Sequence, residues 1–324
     1  MTHAIRLHRT GGPEVLQWET VEVPVPGPKE IRLRHTAVGL NYIDVYYRTG
    51  LYPAPLPFSP GLEAAGVVDA VGAEVTTLKV GDRVAYSTGP LGAYAEARVI
   101  AAERMVKIPD GISDQQAAAM MLQGMTAEYL VRRTYPIKRG DTILIHAAAG
   151  GVGLIVCQWA KHLGATVIGT VGSDEKAALA RANGCDYPIV YTREDFQARV
   201  LEITNGAKVP VVYDSVGRDT FAKSLDCLAP LGLLALFGQA SGPVPPFDLG
   251  QLAAKGSLYI TRPTLFTYTA QRADLEASSS ALFDLVQRGV VKISVNQTYP
   301  LRNAADAQRD LEARRTTGST VLVV

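Results

Sequence analysis

The chain has 324 residues and only three cysteines, Cys157, Cys185 and Cys227. They are widely spaced and odd in number, so they make neither a disulfide framework nor a metal-binding spacing. Each reads as a small buried apolar residue, and a reducing cytoplasm is the simplest home for the chain. Also missing is any apolar run near the ~20 residues that a membrane-spanning helix needs. The segment Met1–Arg9 carries no secretory apolar stretch and reads as a first strand. Charge of one sign is absent too: 32 Lys+Arg stand against 31 Asp+Glu with no like-charge block. That balance argues against nucleic-acid and acidic-membrane partners. Repeats and low-complexity tracts are not visible. What remains is a globular composition, 47% hydrophobic, in a chain long enough for two domains.

The most informative stretch is Thr142–Thr170, which reads as strand, glycine turn, helix and strand within one ~30-residue unit. Ile143, Leu144 and Ile145 suit a buried parallel strand. Ala148, Gly150 and Gly153 then fill the three positions of a dinucleotide-binding fingerprint, with Ala in place of the first Gly. Small residues there let the backbone approach a pyrophosphate. The helix starting near Gly151, with Val152 in its first turn, aims free N–H groups and its positive end at that phosphate. A bare glycine pattern is weak evidence; the flanking strands and helix make this one specific.

Residues 1–123 read as β-rich, with short apolar–polar alternations broken by Pro and Gly, which predicts a partly open barrel. Pro53, Pro55, Pro57 and Pro60 mark an irregular loop. Ser113 and Gln116 make a capping-box candidate before an Ala- and Met-rich helix. Helices at 151–163, 174–183, 193–204 and 218–228 then alternate with strands at 142–146, 165–170, 187–190, 209–213, 232–237 and 257–261. That order predicts a doubly wound parallel sheet over 124–262. The tail, 263–324, holds a helix (Ala270–Arg288), a strand near Ile293, a second helix and a final strand from Ser319, and is expected to return to the first domain.

Eight short pieces in order resemble the medium-chain dehydrogenase/reductase superfamily, and within it the zinc-free NADPH:quinone oxidoreductases related to zeta-crystallin. They are Gly11–Leu16, Gly39–Asp44, Gly50–Pro53, Pro60–Gly66, Val80–Val84, His146–Gly153, Val212–Gly217 and Thr261–Pro263. The resemblance spans essentially the whole chain. It implies an α/β protein, a GroES-like partly open β-barrel joined to a Rossmann doubly wound sheet, and a homodimer or a tetramer built from dimers. Zinc-dependent members carry Gly-His-Glu where this chain has Gly61-Leu62-Glu63, and a Cys near Gly39–Asp44, where Asn41 and Asp44 stand here. Catalytic zinc needs about three N, S or O ligands. Leu62 cannot ligate, no cysteine precedes Cys157, and three cysteines are too few for a structural-zinc lobe. No metal site is expected, which turns the reading from alcohol oxidation toward an acceptor that takes hydride readily.

The second Rossmann strand ends in Gly172 and Ser173, where NAD-preferring domains commonly place Asp or Glu for the ribose 2′-OH. NADPH is therefore the expected cofactor. The resemblance assigns its 2′-phosphate to Ser173, Lys176 and Tyr191. Asp174 and Glu175 read as first-turn helix acids. The resemblance extends the cofactor contacts to Tyr129, Gly172, Ser215, Phe237, Gly238 and Arg314, and gathers Asn41, Tyr46, Tyr52 and Gln123 around the nicotinamide. Asn41 can donate an amide hydrogen to the cofactor or a quinone oxygen. Tyr46 and Tyr52 could stack on a quinone ring or donate a proton. Asp44 orients a neighbour or braces its loop. Thr126, Ala127 and Tyr129 are expected to open a long helix joining the domains. His146, on a buried strand, reads as structural.

The leading expectation is a metal-free, NADPH-dependent quinone reductase acting on a small molecule. Reduction of enones or 2-alkenals across C=C shares every motif. A nucleotide-dependent RNA-binding or crystallin-like protein with little turnover is the alternative of another class, and the lack of a basic stripe disfavours RNA.

Overall fold

The structure is a computed structural model describing residues 2–324. It divides into two compact units: Met1–Met125 with Thr269–Gln287 and Ile293–Val324, and Thr126–Tyr268 with Arg288–Lys292. The return to the first unit comes at Thr269, a few residues beyond the expected 263, and residues 288–292 belong with the second unit.

In the first unit, β1 (Thr2–Arg6) pairs with β2 (Gln17–Val21) and makes one antiparallel bridge, Ala4 to Ala95. The main sheet is built on β3 (Glu30–Leu40), β4 (Glu63–Val71), β5 (Arg83–Ser87), β6 (Ala97–Ala101) and β7 (Val106–Lys107). β3 holds β4 along one edge and β6 along part of its length, all antiparallel. Its alternating Ile31, Leu33, Val38 and Leu40 enter a core shared with Tyr86 and Tyr94. Between β3 and β4 lies a helix absent from the β-rich expectation, α1 (Tyr42–Thr49). Its aromatic and β-branched residues have modest helix propensity, so composition hides it. Its ends reveal it: the Asn41 N–H donates to Asp44 Oδ2 at 2.9 Å, and Gly50 closes it in the left-handed conformation (φ 80°). α2 (Asp114–Ala118) starts at the expected capping box, with Gln116 N–H to Ser113 Oγ at 3.2 Å and Ser113 N–H to Gln116 Oε1 at 3.1 Å. α3 (Met121–Tyr129) runs into a π-helical turn, Leu130–Thr134. Thr126, Ala127 and Tyr129 thus close this helix instead of opening one.

The second unit contains β8 (Thr142–Ile145), α4 (Gly151–Leu163), β9 (Thr166–Val171), α5 (Asp174–Ala182), β10 (Tyr187–Val190), α6 (Phe196–Ile203), β11 (Val209–Asp214), α7 (Phe221–Asp226), β12 (Leu228–Leu236), α8 (Gly250–Ala254), β13 (Tyr259–Thr261) and α9 (Leu265–Tyr268). The strands form one parallel sheet in the order β10-β9-β8-β11-β12-β13. Ile143, Leu144 and Ile145 are fully buried, as a strand covered on both faces requires. The order reverses beside β8, and in such sheets ligands bind beyond the carboxyl ends of the strands at that point.

The tail gives α10 (Arg272–Gln287), β14 (Val295–Pro300), α11 (Ala304–Glu312) and β15 (Ser319–Val323). β15 adds antiparallel to β3, and β14 adds parallel to β15. Among the described residues, no helix is long and apolar enough to cross a membrane.

Candidate active site

The dinucleotide turn begins where β8 ends. Ala147 takes a left-handed conformation (φ 54°), which costs an alanine about 1 kcal/mol. Ala148 N–H donates to Thr170 O at 3.0 Å, and Gly150 N–H to Ala147 O at 3.0 Å. These bonds curl the chain into α4, whose N-cap is Gly150. A Cβ on Gly153 would sit 2.3 Å from Ala147 O, and one on Gly169 would sit 2.6 Å from Ala148 Cβ. The turn, the helix and β9 therefore meet at backbone distance. A Cβ on Gly150 would meet only Ala147 O, at 3.3 Å, leaving that side open. The first amides of a helix have no partner within it, so those of Gly151, Val152 and Gly153 stand beside this open side. A backbone cradle with a helix N-terminus behind it fits a pyrophosphate.

The end of β9 supplies the neighbouring surface. Ser173 Oγ caps α5 by accepting from Lys176 N–H at 3.3 Å. A Cβ on Gly172 would lie 3.0 Å from Tyr191 Oη, so Gly172, Ser173, Lys176 and Tyr191 share one corner. Asp174 is held by both guanidinium nitrogens of Arg193, at 2.6 and 2.5 Å, and that cation keeps its carboxyl below the usual range. Arg193 was not among the expected residues; its pairing spans 19 positions, which no local pattern shows. Across the sheet, Asp214 orders the loop after β11 by accepting from Val216 N–H at 2.8 Å and Gly217 N–H at 3.1 Å. Gly238 packs on Ser215, where a Cβ would lie 2.6 Å from Ser215 O, and Phe237 N–H bonds Asp214 O at 2.8 Å. His146 is buried, with its ring nitrogens 2.9 Å from Thr170 Oγ1 and 2.9 Å from Ser224 Oγ, while Ser224 donates to Asp214 at 3.1 Å. Burial holds its pKa down, so it stays neutral and braces the ends of β8, β9 and β11. Tyr129 lies stacked on Tyr268 at 4.3 Å between ring centroids, its hydroxyl pKa raised by burial.

In the first unit, Asn41 and Gln123 come together. Gln123 Nε2 donates to Asn41 Oδ1 at 3.0 Å, and Asn41 Nδ2 donates to Glu63 Oε2 at 2.6 Å. Glu63 Oε1 accepts from Leu122 N–H at 2.7 Å, and Ser319 Oγ donates to Gln123 Oε1 at 2.6 Å. Gly39 makes room for the carboxylate: a Cβ there would lie 2.4 Å from Glu63 Oε2. Glu63 is fully buried, and burial pushes its pKa up to about 8 against the pull of these donors, with the Asp44 charge adding to the rise. Asp44, also fully buried, is pushed up to about 7 by burial, opposed by bonds from Asn41 N–H and from Tyr94 Oη at 2.9 Å. It is thus both the cap of α1 and a brace for Asn41. Behind it, Gln308 Nε2 reaches Tyr94 Oη at 3.4 Å, and Gln308 Oε1 accepts from Arg48 at 2.9 Å. Arg48, only 1% exposed, makes a two-pronged pair with Glu312 at 2.9 and 2.8 Å. This ties α1 to α11.

Tyr46 is buried and forms a ring cluster with Tyr52 at 5.1 Å and Tyr42 at 5.5 Å. Tyr52 N–H bonds Tyr46 O at 3.0 Å. Arg314 follows α11 in the first unit, exposed and with φ 59°, near Tyr42. Leu62 is buried at 1% exposure. Among the described residues, no group of three or more His, Cys, Asp or Glu could hold a metal ion.

Comparison with known proteins agrees with this architecture. The alcohol dehydrogenase GroES-like domain matches residues 27–110, and the zinc-binding dehydrogenase domain matches 151–278. A quinone oxidoreductase of Pseudomonas aeruginosa is 57% identical over the full length of both chains. A 2-haloacrylate reductase of Burkholderia is 48% identical, covering 100% of this chain and 99% of that one. The solved Escherichia coli quinone oxidoreductase complexed with NADPH superposes with a TM-score of 0.98 at 50% identity, over all of both chains. The chain belongs to the quinone oxidoreductase family of the medium-chain dehydrogenases/reductases.

Proposed function

We propose that the protein is an NADPH:quinone oxidoreductase that works without metal. The observation that carries this is the open glycine cradle at 148–153 beside a strand end, Gly172-Ser173, that bears no carboxylate of its own, with the following Asp174 taken up by Arg193. When bound there, NADPH supplies a hydride from its nicotinamide. The amides of Gly151, Val152 and Gly153 would hold its pyrophosphate, lying against the turn at Ala148 and the open side of Gly150. Ser173, Lys176 and Tyr191 would hold the 2′-phosphate, and Gly172, Ser215, Phe237 and Gly238 would line its length. Tyr129 and Arg314 would add contacts. Asn41 and Gln123 would donate amide hydrogens to a quinone oxygen, and the rings of Tyr46 and Tyr52 would pack on the acceptor. A tyrosine hydroxyl or water would deliver the proton. Leu62 offers no lone pair for a Lewis acid, so orientation and water exclusion carry the rate.

Stopped-flow mixing with NADPH and a small quinone tests the reading. We expect rapid loss of NADPH absorbance; none at saturating quinone would refute it. The likeness to the 2-haloacrylate reductase supports a second reading, reduction of an activated C=C bond, and a panel of quinones and enals separates the two. We also propose a cytoplasmic homodimer. In support, β13 is a sheet edge with Leu231 and Tyr259 exposed beside it, a template for a second copy, and the three thiols are buried and unpaired.

A further inference from the structure

Four side chains from distant parts of the first unit form one unbranched chain of hydrogen bonds, Ser319–Gln123–Asn41–Glu63. Both interior members are primary amides, and an amide turned by 180° exchanges donor for acceptor at each end. As the bonds run, Ser319 O–H points to Gln123, Gln123 N–H to Asn41 and Asn41 N–H to Glu63. Both carboxyl oxygens of Glu63 then accept, one from Asn41 and one from Leu122 N–H. That arrangement suits an ionised carboxylate.

A proton on the Asn41-facing oxygen would break it, because two donors would then face each other. The chain has one consistent alternative. Glu63 O–H donates to Asn41, Asn41 N–H to Gln123, and Gln123 N–H to Ser319. Ser319 O–H needs another acceptor, and Ala119 O already lies 3.0 Å from its Oγ. Every member of the chain keeps a partner in both directions, and the Leu122 N–H bond to Glu63 is undisturbed; the cost is the capping-box contact between the Asn41 side-chain oxygen and Asp44 N–H, which keeps its bond to Asn41 O at 3.0 Å. The two states differ in which atoms Asn41 and Gln123 leave free.

We propose that Glu63 is a positioning residue whose charge state sets the direction of this chain, and with it the hydrogen-bonding polarity that Asn41 and Gln123 offer a quinone oxygen. The observed direction belongs to the ionised state and is the one that supports turnover. The inference rests on the proposed placement of Asn41 and Gln123 at the acceptor. The titratable groups bearing on Glu63 are Asp44 from α1 and Tyr86 from β5. From α3 it meets the Leu122 and Met121 backbone amides, and from β3 it packs against Gly39. Among the described residues, no cation pairs with it directly. Burial, with a smaller push from the Asp44 charge, raises its proton loss to about pH 8 against the pull of its hydrogen-bond donors.

Glu63→Gln locks the alternative direction, since its amide donates to Asn41 while its oxygen accepts from Leu122. Two measurements test the proposal. Infrared titration of the wild-type protein should show one buried carboxylic-acid band vanishing around pH 8, missing from Glu63→Gln. In kinetics, wild-type kcat/KM for a small quinone should fall about tenfold or more as the pH drops through that titration, the size of a lost hydrogen bond to a charged group. Glu63→Gln should stay near the low value with a flat profile. Asp44→Asn should keep the limb but move it to lower pH, because the neighbouring negative charge is gone. No infrared titration of Glu63 would overturn the switch, whether or not the variant folds. An infrared titration with a wild-type quinone profile in Glu63→Gln would instead overturn the placement of Asn41 and Gln123 at the acceptor.

Discussion

Gly153→Ala puts a methyl group where the structure has 2.3 Å to Ala147 O and 2.8 Å to Ala148 Cα and C. Carbon and carbonyl oxygen ordinarily approach no closer than about 3.3 Å, so α4 must withdraw from the turn by about 1 Å. The neighbours are backbone atoms, fixed by the Ala148 N–H bond to Thr170 O and the Gly150 N–H bond to Ala147 O, and no flexible side chain gives way. Overpacking of this kind costs about 1–3 kcal/mol, so the melting temperature should fall by several degrees. The amides that would hold the pyrophosphate move with the helix, and NADPH affinity should fall about tenfold to a hundredfold. Gly150→Ala is the control. Its Cβ meets one atom, Ala147 O at 3.3 Å, so the apo protein should melt within a degree or two of wild type, a surface-like change of about 0.5 kcal/mol. That methyl fills the open side of the cradle, so NADPH binding should still weaken. Thermal unfolding without nucleotide and a fluorescence titration with NADPH read the two effects separately. Gly153→Ala with unchanged melting and unchanged affinity would refute the close-approach argument. Unimpaired binding by Gly150→Ala would move the pyrophosphate elsewhere.

Lys176→Ala should raise the apparent constant for NADPH about tenfold and leave NADH nearly unchanged, the loss of one charge-assisted contact; equal effects would remove Lys176 from the 2′-phosphate site. Asp44→Asn should flatten part of the pH dependence of stability. The Asp44 carboxyl is raised from 3.8 to about 7 in the fold, so its favourable contribution is complete below pH 3.8 and fades as the pH rises through 7. In urea titrations the variant should therefore gain on wild type over that window by a few kcal/mol, at about 1.4 kcal/mol per pH unit; a gain confined to acid would contradict the sign. Leu62→His should bind no stoichiometric zinc by elemental analysis, because Asn41 and Asp44 stand where a cysteine ligand would be required. Tyr259→Lys, placing charge on the β13 edge, should convert a dimeric wild type to monomer in sedimentation velocity; a dimeric variant would move the interface away from this edge.

The two units were not equally legible. The dinucleotide turn could be read because its requirements are local: Ala148, Gly150 and Gly153 sit at fixed offsets, and each must be small for a backbone reason the structure displays. Helix α1 escaped notice because Tyr42, Ile43, Val45, Tyr46 and Tyr47 look like a strand, although Asn41, Asp44 and Gly50 carried its cap signals. The acceptor-side chain had no local signature at all. Asn41 and Glu63 are 22 positions apart, and Gln123 and Ser319 are 196 apart. Only β15, returning along β3, brings Ser319 to the other three. Buried carboxylates compound the difficulty: Asp44 reads as an orienting or bracing group, but nothing in the sequence marks it or Glu63 as fully buried. The proposed cofactor cradle is thus written in neighbouring residues, while the proposed acceptor site draws on β3, β4, α3 and β15, which lie far apart in the sequence. Substitutions near the C-terminus, at Ser319 or at Gln308 behind Asp44, should accordingly alter quinone handling without touching any recognisable motif.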